Sequence, residues 1–339
     1  MRNNSVLSDL GETQLIKIIE EIIHEITGKT LIRDDSFFFS LPLNKNDDKI
    51  IVLNSDMLVS TTDIPSHMSY YQIGKKSVIM NVSDLIVKGV EPQGILISLG
   101  VPKNTKLEDF KELIKGIVDC SEIFNLEYIG GDLGETKEVI VNPTVFGFQE
   151  KLKIIYRKGI NEGDILVANG KFGLTGVGFD ILLNKEGSLK SFPKYKRSIM
   201  SVLEPNITGR EALIFAENSF ATASIDSSDG LMKSLKDLMV SNSKIGFEID
   251  YSNEFIDEEA LNYCKEFNKS IEDLVFTAGE EFIHIFTIPQ EKYQTALDVI
   301  NDKDMQLYKI GRAISEEKIY LLKNDEKIEL EIGGFEHFK

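Results

Sequence analysis

The stretch Ala223-Ser224-Ile225-Asp226-Ser227-Ser228-Asp229-Gly230-Leu231 runs from a β-rich segment into an amphipathic helix. A strand followed directly by a helix is typical of α/β folds. We expect Asp226 at the strand end, Ser228 as the helix cap and Asp229 in the positively polarised first turn. Two carboxylates and several backbone N–H groups then meet, which suits a metal ion paired with a phosphate. A simple helix cap uses the same residue types and is compatible with metal binding.

Carboxylates beside small or polar residues recur elsewhere along the chain, in Asp34-Asp35, Asn54-Ser55-Asp56, Asn81-Val82-Ser83-Asp84 and Gly130-Gly131-Asp132. Each has an ordinary structural alternative. An Asx turn explains Asn54-Ser55-Asp56 equally well, and Gly130-Gly131-Asp132 is predicted as a turn between two strands. Asp84 falls in a mostly apolar helix, where a lone buried carboxylate is costly, so its structural interpretation is a solvent-facing position.

The composition limits the class of protein. The chain has 339 residues, 42% of them hydrophobic, and a formal net charge of −17. That length suits two domains, predicted at 1–150 and 151–339. The negative charge disfavours nucleic acid and anionic membranes as partners, and a polyanionic substrate would need cations of its own. Cys120 and Cys264 suggest neither a disulfide framework nor a zinc site, and no apolar run approaches the roughly 18 residues of a membrane span. We expect a cytoplasmic protein.

Hydrophobic periodicity predicts that both parts of the chain mix helices and strands. Residues 12–26 place apolar side chains at intervals of three and four, which predicts a helix with one buried face. Further helices are predicted at 70–88, 107–124, 208–217 and 231–239. Strands are predicted at 49–53, 94–99, 127–129, 138–148, 165–168, 223–225, 244–249 and 282–288. The fold class is therefore α/β (α+β), with two mixed domains.

Several common catalytic motifs are absent. The glycine-rich stretch from Gly170 to Gly178 fits neither GxxxxGK[ST] nor GxGxxG, and close helix–strand packing explains its glycines equally well. The four histidines are dispersed, and no Ser-His-Asp or HExxH arrangement occurs. Histidine chemistry is therefore not expected.

Taken in order, the acidic segments resemble the thiamine-monophosphate kinase family, which is related to aminoimidazole ribonucleotide synthetase and selenophosphate synthetase. Three further segments carry the resemblance: the turn from Arg157 to Asp164, Gly279-Glu280-Glu281-Phe282, and the C-terminal Gly334-Phe335-Glu336-His337-Phe338. The match spans almost the whole chain. It departs from the family at Arg33, Asn54 and Asp63, where relatives usually carry Gly, Ser and often His.

The resemblance implies direct transfer of the ATP γ-phosphoryl group to thiamine monophosphate, assisted by several Mg²⁺ ions and without a catalytic side chain. The implied metal ligands are Asp35, Asn54, Ser55, Asp56, Asp84, Asp132, Asp226 and Asp229. The implied ATP contacts are Gly131, Asp132, Arg157 and Ser228, and the implied acceptor contacts are Asp63, Glu280 and Phe335. The resemblance also implies a homodimer in which the N-terminal domains join their sheets. A ring-closing synthetase and a non-catalytic nucleotide-binding or metal-binding protein are the alternatives.

Overall fold

The computed structural model describes residues 12–30, 33–40, 48–207, 209–252, 254–324 and 326–330. Within these ranges the chain forms a mixed α/β structure with two β-sheets, which confirms the predicted fold class. None of the helices found there has the length and apolar character needed to cross a membrane.

The first sheet is built from strands that precede residue 151, in the order β1-β2-β6-β4-β5, with β3 paired to β6. Strands β4 and β5 are parallel, whereas β2 and β4 are both antiparallel to β6. The strands are β1 (Phe37–Ser40), β2 (Lys49–Asn54), β3 (Leu58–Val59), β4 (Pro92–Val101), β5 (Glu127–Glu135) and β6 (Ile140–Glu150). The helices are α1 (Glu12–Thr27), α2 (Ser60–Asp63), α3 (Tyr70–Ile86) and α4 (Leu107–Ile123).

The second sheet follows, in the order β13-β12-β9-β11-β7-β10-β8. Its strands are β7 (Ile165–Ala168), β8 (Ala223–Asp226), β9 (Gly246–Asp250), β10 (His284–Ile288), β11 (Tyr308–Ile314), β12 (Ile319–Lys323) and β13 (Glu326–Glu329). The helices are α5 (Leu174–Phe179), α6 (Lys196–Leu203), α7 (Arg210–Asn218), α8 (Leu231–Ser241), α9 (Glu258–Phe267) and α10 (Gln290–Asn301). Short π-helices occur at Asp180–Asn184 and Glu272–Phe276, and 3₁₀ turns at Lys151–Lys153 and Pro193–Tyr195.

Helix α3 connects the two parts of the structure. It begins with a capping box in which Ser69 and Gln72 exchange hydrogen bonds, and nearly all of its later residues are buried. It packs on β2 and β6 of the first sheet and also contacts β8 and α7 of the second part. The residues of α3 therefore lie at the junction of the two sheets.

The predicted turn at Gly130-Gly131-Asp132 is wrong, because β5 runs through these residues without a break. Gly130 and Gly131 have φ values of 136° and 153°, in a region that favours glycine. A Cβ on Gly131 would lie 1.8 Å from the carbonyl oxygen of Ile97 on β4. The glycines thus allow close pairing of two parallel strands.

The prediction of a buried face on the first helix is also wrong. Helix α1 forms as expected, but Ile19, Ile22 and Ile26 are 54%, 50% and 78% exposed. The spacing of apolar residues determines which side of a helix they share, but not whether another element covers that side. Within the described part of the chain, this face is left largely open.

Candidate active site

A cavity of about 1040 Å³ lies between the two parts of the structure. Its polar wall includes most of the acidic residues that the sequence singled out, while apolar side chains line other parts of it. The lining residues used below are Asp34, Asp35, Asn54, Ser55, Asp56, Asp63, Lys76, Asp84, Arg157, Ser228, Asp229 and Glu280. The fold therefore brings together segments that are far apart in sequence.

Three buried carboxylates meet beside this cavity. Asp35 precedes β1, Asp84 lies in the last turn of α3, and Asp226 ends β8. One oxygen from each lies within 4.8 Å of the others, and their exposures are 6%, 7% and 3%. The structural alternative for Asp84, a solvent-facing position, does not hold, because the end of α3 packs against β8 and buries this side chain. We call these residues the carboxylate cluster.

Burial and like charges disfavour the ionised state of two members of this cluster, Asp84 and Asp226. Burial, and then the neighbouring charges of Asp226 and Asp56, raise the pKa of Asp84 well above its ordinary value. Burial and the charge of Asp35 raise the pKa of Asp226 to about 7. Such a group either holds protons or binds a cation, and a set of carboxylate oxygens fits a hard divalent ion such as Mg²⁺. The residues present therefore fit the metal that the family resemblance implies.

Asp35 differs from its neighbours because two cationic side chains contact it. Lys88 Nζ lies 2.6 Å from Asp35 Oδ2 and 2.8 Å from Asp34 Oδ1, and Arg157 Nε donates to Asp35 Oδ1 at 2.8 Å. Burial alone would raise the pKa of Asp35, but Arg157 and Lys88 outweigh burial and hold that pKa below its usual range. Lys88 is completely buried, and no sequence pattern set it apart from the lysines of solvated helix ends.

Amide side chains hold the acidic residues at the end of β2. Asn54 Nδ2 donates to Asp84 Oδ2 at 2.7 Å and to Asp56 Oδ2 at 3.3 Å. Asn81, on α3, accepts from the Asp56 backbone N–H at 2.7 Å and donates to its carbonyl at 3.1 Å. Ser55 Oγ donates to the Pro143 carbonyl at 3.1 Å, toward the neighbouring strand β6. Asn81 belongs to the Asn81-Val82-Ser83-Asp84 segment, but the sequence predicted no role for its side chain. The structure shows that it holds the backbone of Asp56 in place.

The turn after β8 differs from its prediction. The residue before α8 is Gly230, with φ of 99°, and no side chain caps the helix, so the predicted cap by Ser228 is wrong. The backbone of Ser228 instead faces the loop before β10, where its carbonyl accepts the N–H of Glu280 at 2.5 Å. Asp229 precedes the helix and lies 3.2 Å from Lys233 Nζ. Both Ser228 and Asp229 still line the cavity.

Gly131 and Asp132 lie apart from the carboxylate cluster within one chain. Both are exposed on β5, and neither lines the cavity. Strand β5 is three steps from β2 across the sheet, or about 14 Å at the usual strand spacing. Their implied contacts with metal and nucleotide therefore stay a prediction.

The three residues that the resemblance implies as acceptor contacts have different surroundings. Asp63 Oδ2 accepts the backbone N–H of Val59 at 2.6 Å, so this carboxylate closes the α2 turn. Glu280 Oε1 lies 2.6 Å from Nζ of the buried Lys76, which the sequence had not identified as functional. Phe335, with the rest of the C-terminal motif, lies outside the described residues.

A buried histidine adjoins the cluster. Ser83 Oγ donates to Asp226 Oδ2 at 2.9 Å and lies 3.3 Å from Nε2 of His284, which pairs with Asp226 across β8 and β10. Burial lowers the pKa of His284 to about 3, although the charge of Asp35 opposes this shift. His284 is thus neutral near pH 7. No sequence pattern predicted this contact, because only the pairing of β8 with β10 places His284 beside Asp226.

Comparisons with known proteins found relatives of similar sequence and similar fold. A family model described as "AIR synthase related protein, N-terminal domain" matches residues 33–149. The thiamine-monophosphate kinase of Nitrosopumilus maritimus is 32% identical over 98% of this chain and 100% of its own length. That of Pyrococcus horikoshii is 29% identical over 98% of both chains. Among solved structures, "AaThiL complexed with AMPPCP and TMP" has a TM-score of 0.83 at 24% identity, covering 99% of this chain and 100% of that one, which shows the fold.

Proposed function

The chain belongs to the thiamine-monophosphate kinase family, and we propose that it transfers the γ-phosphoryl group of ATP to thiamine monophosphate, producing thiamine diphosphate and ADP. The full-length relatives confirm the family resemblance that the ordered motifs indicated. In the structure, the observation that supports this activity is the buried carboxylate cluster beside a cavity large enough for two substrates.

We propose that the cluster of Asp35, Asp84 and Asp226 is the centre of the metal site and that Asp56 and Asp229 extend it along the cavity. Asn54, Ser55 and Asp132 complete the proposed ligand set. Bound Mg²⁺ would neutralise phosphate oxygens of donor and acceptor, since two like unit charges ~4 Å apart repel by roughly 4 kcal/mol at an effective dielectric of ~20. The acceptor phosphate is already anionic near neutral pH, so no side chain has to remove a proton from it.

Arg157 and Ser228 are the proposed nucleotide contacts in the cavity wall, with Gly131 and Asp132 completing the nucleotide site. Arg157 keeps part of its side chain exposed while it contacts Asp35. A phosphate group can therefore approach the guanidinium group from the cavity side. Burial opposes the charged form of Arg157, but Asp35 favours it more strongly, so the pKa of Arg157 is raised. Its guanidinium group therefore stays charged.

Asp63, Glu280 and Phe335 are the proposed contacts of the acceptor. Apolar side chains line the same region and would suit an organic ring system: Phe37, Met57, Met80, Phe179, Leu183 and Phe282. The cavity thus offers both carboxylates and apolar groups to its ligands.

We also propose that the chain forms a homodimer through its first sheet. Large apolar side chains are exposed on β5, where Tyr128, Ile129 and Leu133 are 45%, 50% and 60% accessible. An active site near such a junction would explain why Asp132 lies apart from the cluster within one chain.

The test is incubation of the protein with Mg²⁺, thiamine monophosphate and ATP labelled in the γ-phosphate, followed by mass spectrometry. We expect labelled thiamine diphosphate and an equal amount of ADP. Release of free phosphate without thiamine diphosphate would favour a ring-closing synthetase, and ATP binding without any product would favour a non-catalytic role.

A single substitution tests whether the activity depends on the proposed site. Asp229→Asn removes a charge from the cavity wall at a partly exposed position, so turnover should be abolished while the fold stays largely intact. Asp302→Asn makes the same change at the exposed end of α10 and serves as the control. Near-normal activity of folded Asp229→Asn would contradict the proposed site.

A further inference from the structure

Lys76 is a lysine that the fold buries almost completely at the cavity wall. Its side chain is 1% exposed, and it lies on α3 among residues that line the cavity. Nζ donates to the backbone carbonyl of Asp63 at 2.6 Å and to Glu280 Oε1 at 2.6 Å. One ammonium group therefore joins three elements: α3, the α2 turn and the loop before β10.

The loop that carries Glu280 is held tightly against the turn after β8. Glu280 donates its backbone N–H to Ser228, and Phe282 donates to the Ser227 carbonyl at 3.1 Å. A Cβ on Gly279 would lie 2.6 Å from the Ser228 carbonyl oxygen. Glu280 and Phe282 have φ values of 60° and 49°, a left-handed backbone that non-glycine residues adopt at an energetic cost. Such a conformation persists where surrounding contacts determine it, and the Lys76 ion pair is one of them.

The electrostatics of the pair make each partner depend on the other. Burial raises the pKa of Glu280, and the ammonium group of Lys76 opposes that rise. An ammonium group so deeply buried also requires a nearby negative charge. Loss of Lys76 would therefore raise the pKa of Glu280 further and remove the ion pair that orients its carboxylate.

We propose that Lys76 is a positioning residue for the acceptor substrate. It holds the Glu280 carboxylate and the Asp63 turn next to each other in the cavity wall, so that the acceptor's cationic and hydrogen-bond-donating ring system is bound against the Glu280 carboxylate. A carboxylate cannot attract a phosphate group, but it does attract the thiazolium cation and aminopyrimidine N–H groups of a thiamine phosphate. This inference rests on the proposed function, since it takes a thiamine phosphate as the acceptor.

The first test is Lys76→Met, which keeps the length and apolar stem of the side chain but removes its charge. We expect the KM for thiamine monophosphate to rise about tenfold, while kcat and the KM for ATP change less than about threefold. Lys75→Met is the matched control, because Lys75 is the neighbouring lysine and faces Glu204 at 3.4 Å outside the cavity lining. A purely structural role would instead lower thermal stability and affect both substrates alike, which would overturn the inference.

The second test removes the other partner and covers the case in which Lys76→Met does not fold. Glu280→Gln keeps the shape of the side chain, and we expect a similar rise in the KM for thiamine monophosphate. If both single variants fold, the double variant should be no worse than the more affected single one, because the two changes break the same contact. Lys76→Arg, which keeps the charge, should recover part of the acceptor affinity.

An unchanged KM for thiamine monophosphate in folded Glu280→Gln would overturn the inference. An active wild-type enzyme with unaffected variants would leave the proposed function intact. A wild-type protein that makes no thiamine diphosphate would instead contradict the proposed function itself.

Discussion

Asp84 and Asp226 are buried carboxylates whose nearest hydrogen-bond donors are neutral. Asn54 donates to Asp84 at 2.7 Å, and Ser83 donates to Asp226 at 2.9 Å. These donors orient the oxygens but do not cancel their charge, so both pKa values are raised. Asp35 differs from them, because Arg157 and Lys88 contact it and hold its pKa below its usual range. Among the described residues, Asp84 and Asp226 thus lack a contacting cationic side chain, which supports the proposal that they bind a metal ion.

This difference predicts a pH-dependent effect of Mg²⁺ on stability. The pKa of Asp226 rises from 3.8 to about 7 in the folded protein, so the folded state binds this proton more tightly than the unfolded chain. Without metal, the contribution of Asp226 to stability therefore falls as the pH rises through that interval. Because metal binding requires the ionised form, the gain in Tm on adding Mg²⁺ should be larger at about pH 8 than at about pH 6.

Thermal unfolding with and without Mg²⁺ at both pH values measures the effect. Asp226→Asn should remove most of the gain at the higher pH. A gain that is equal at both pH values in the wild-type protein would contradict the prediction.

At the scale of single elements, close helix packing positions α3, the helix that supplies both Asp84 and Lys76. A Cβ on Gly74 would lie 2.3 Å from the Leu113 carbonyl oxygen, and one on Gly116 would lie 2.0 Å from that of Tyr71. Glycine at both positions allows the backbones of α3 and α4 to touch. The orientation of α3 over the first sheet, and with it the direction of Asp84 and Lys76, depends on this contact.

Gly116→Ala tests this packing. The added methyl group forces α3 and α4 apart, and overpacking of this kind typically costs about 1–3 kcal/mol of unfolding free energy. Denaturant unfolding measures that loss, and Mg²⁺ affinity should fall with it because Asp84 moves. Glu112→Ala, at an exposed position of the same helix α4, is the control. Equal stability of the two variants would show that the helices can separate without cost.

At the scale of the whole molecule, most of the exposed large apolar side chains among the described residues belong to the first half of the chain. Phe37 and Phe39 on β1 are 55% and 62% exposed, and β5 exposes apolar groups at the opposite edge of the same sheet. Large exposed apolar patches on a sheet are typical of interaction surfaces. The second sheet instead places all residues of its strands β8 and β10 in the interior.

The homodimer prediction can be tested on β5. Leu133→Glu places a charge at a 60% exposed apolar position, so the protein should change from dimer to folded monomer in sedimentation velocity experiments. Val240→Glu, at a 57% exposed position on α8, should leave the dimer unchanged. A wild-type monomer, or a Leu133→Glu dimer of unchanged stability, would contradict pairing through this sheet.

The sequence by itself determined the fold class and the family, predicted five of the ten α-helices and eight of the thirteen strands that the described residues form, and named the acidic residues that line the cavity. Periodicity and strand-end chemistry are local properties, so Glu12–Thr27, Tyr70–Ile86 and Ala223–Asp226 were found close to their observed bounds. Only the tertiary structure decided which residues surround those acids. Lys76, Lys88 and His284 reach the site through helix packing and strand pairing, and the burial of Asp84 follows from the same contacts. Burial and charge pairing are properties of distant segments brought together, which no local pattern contains.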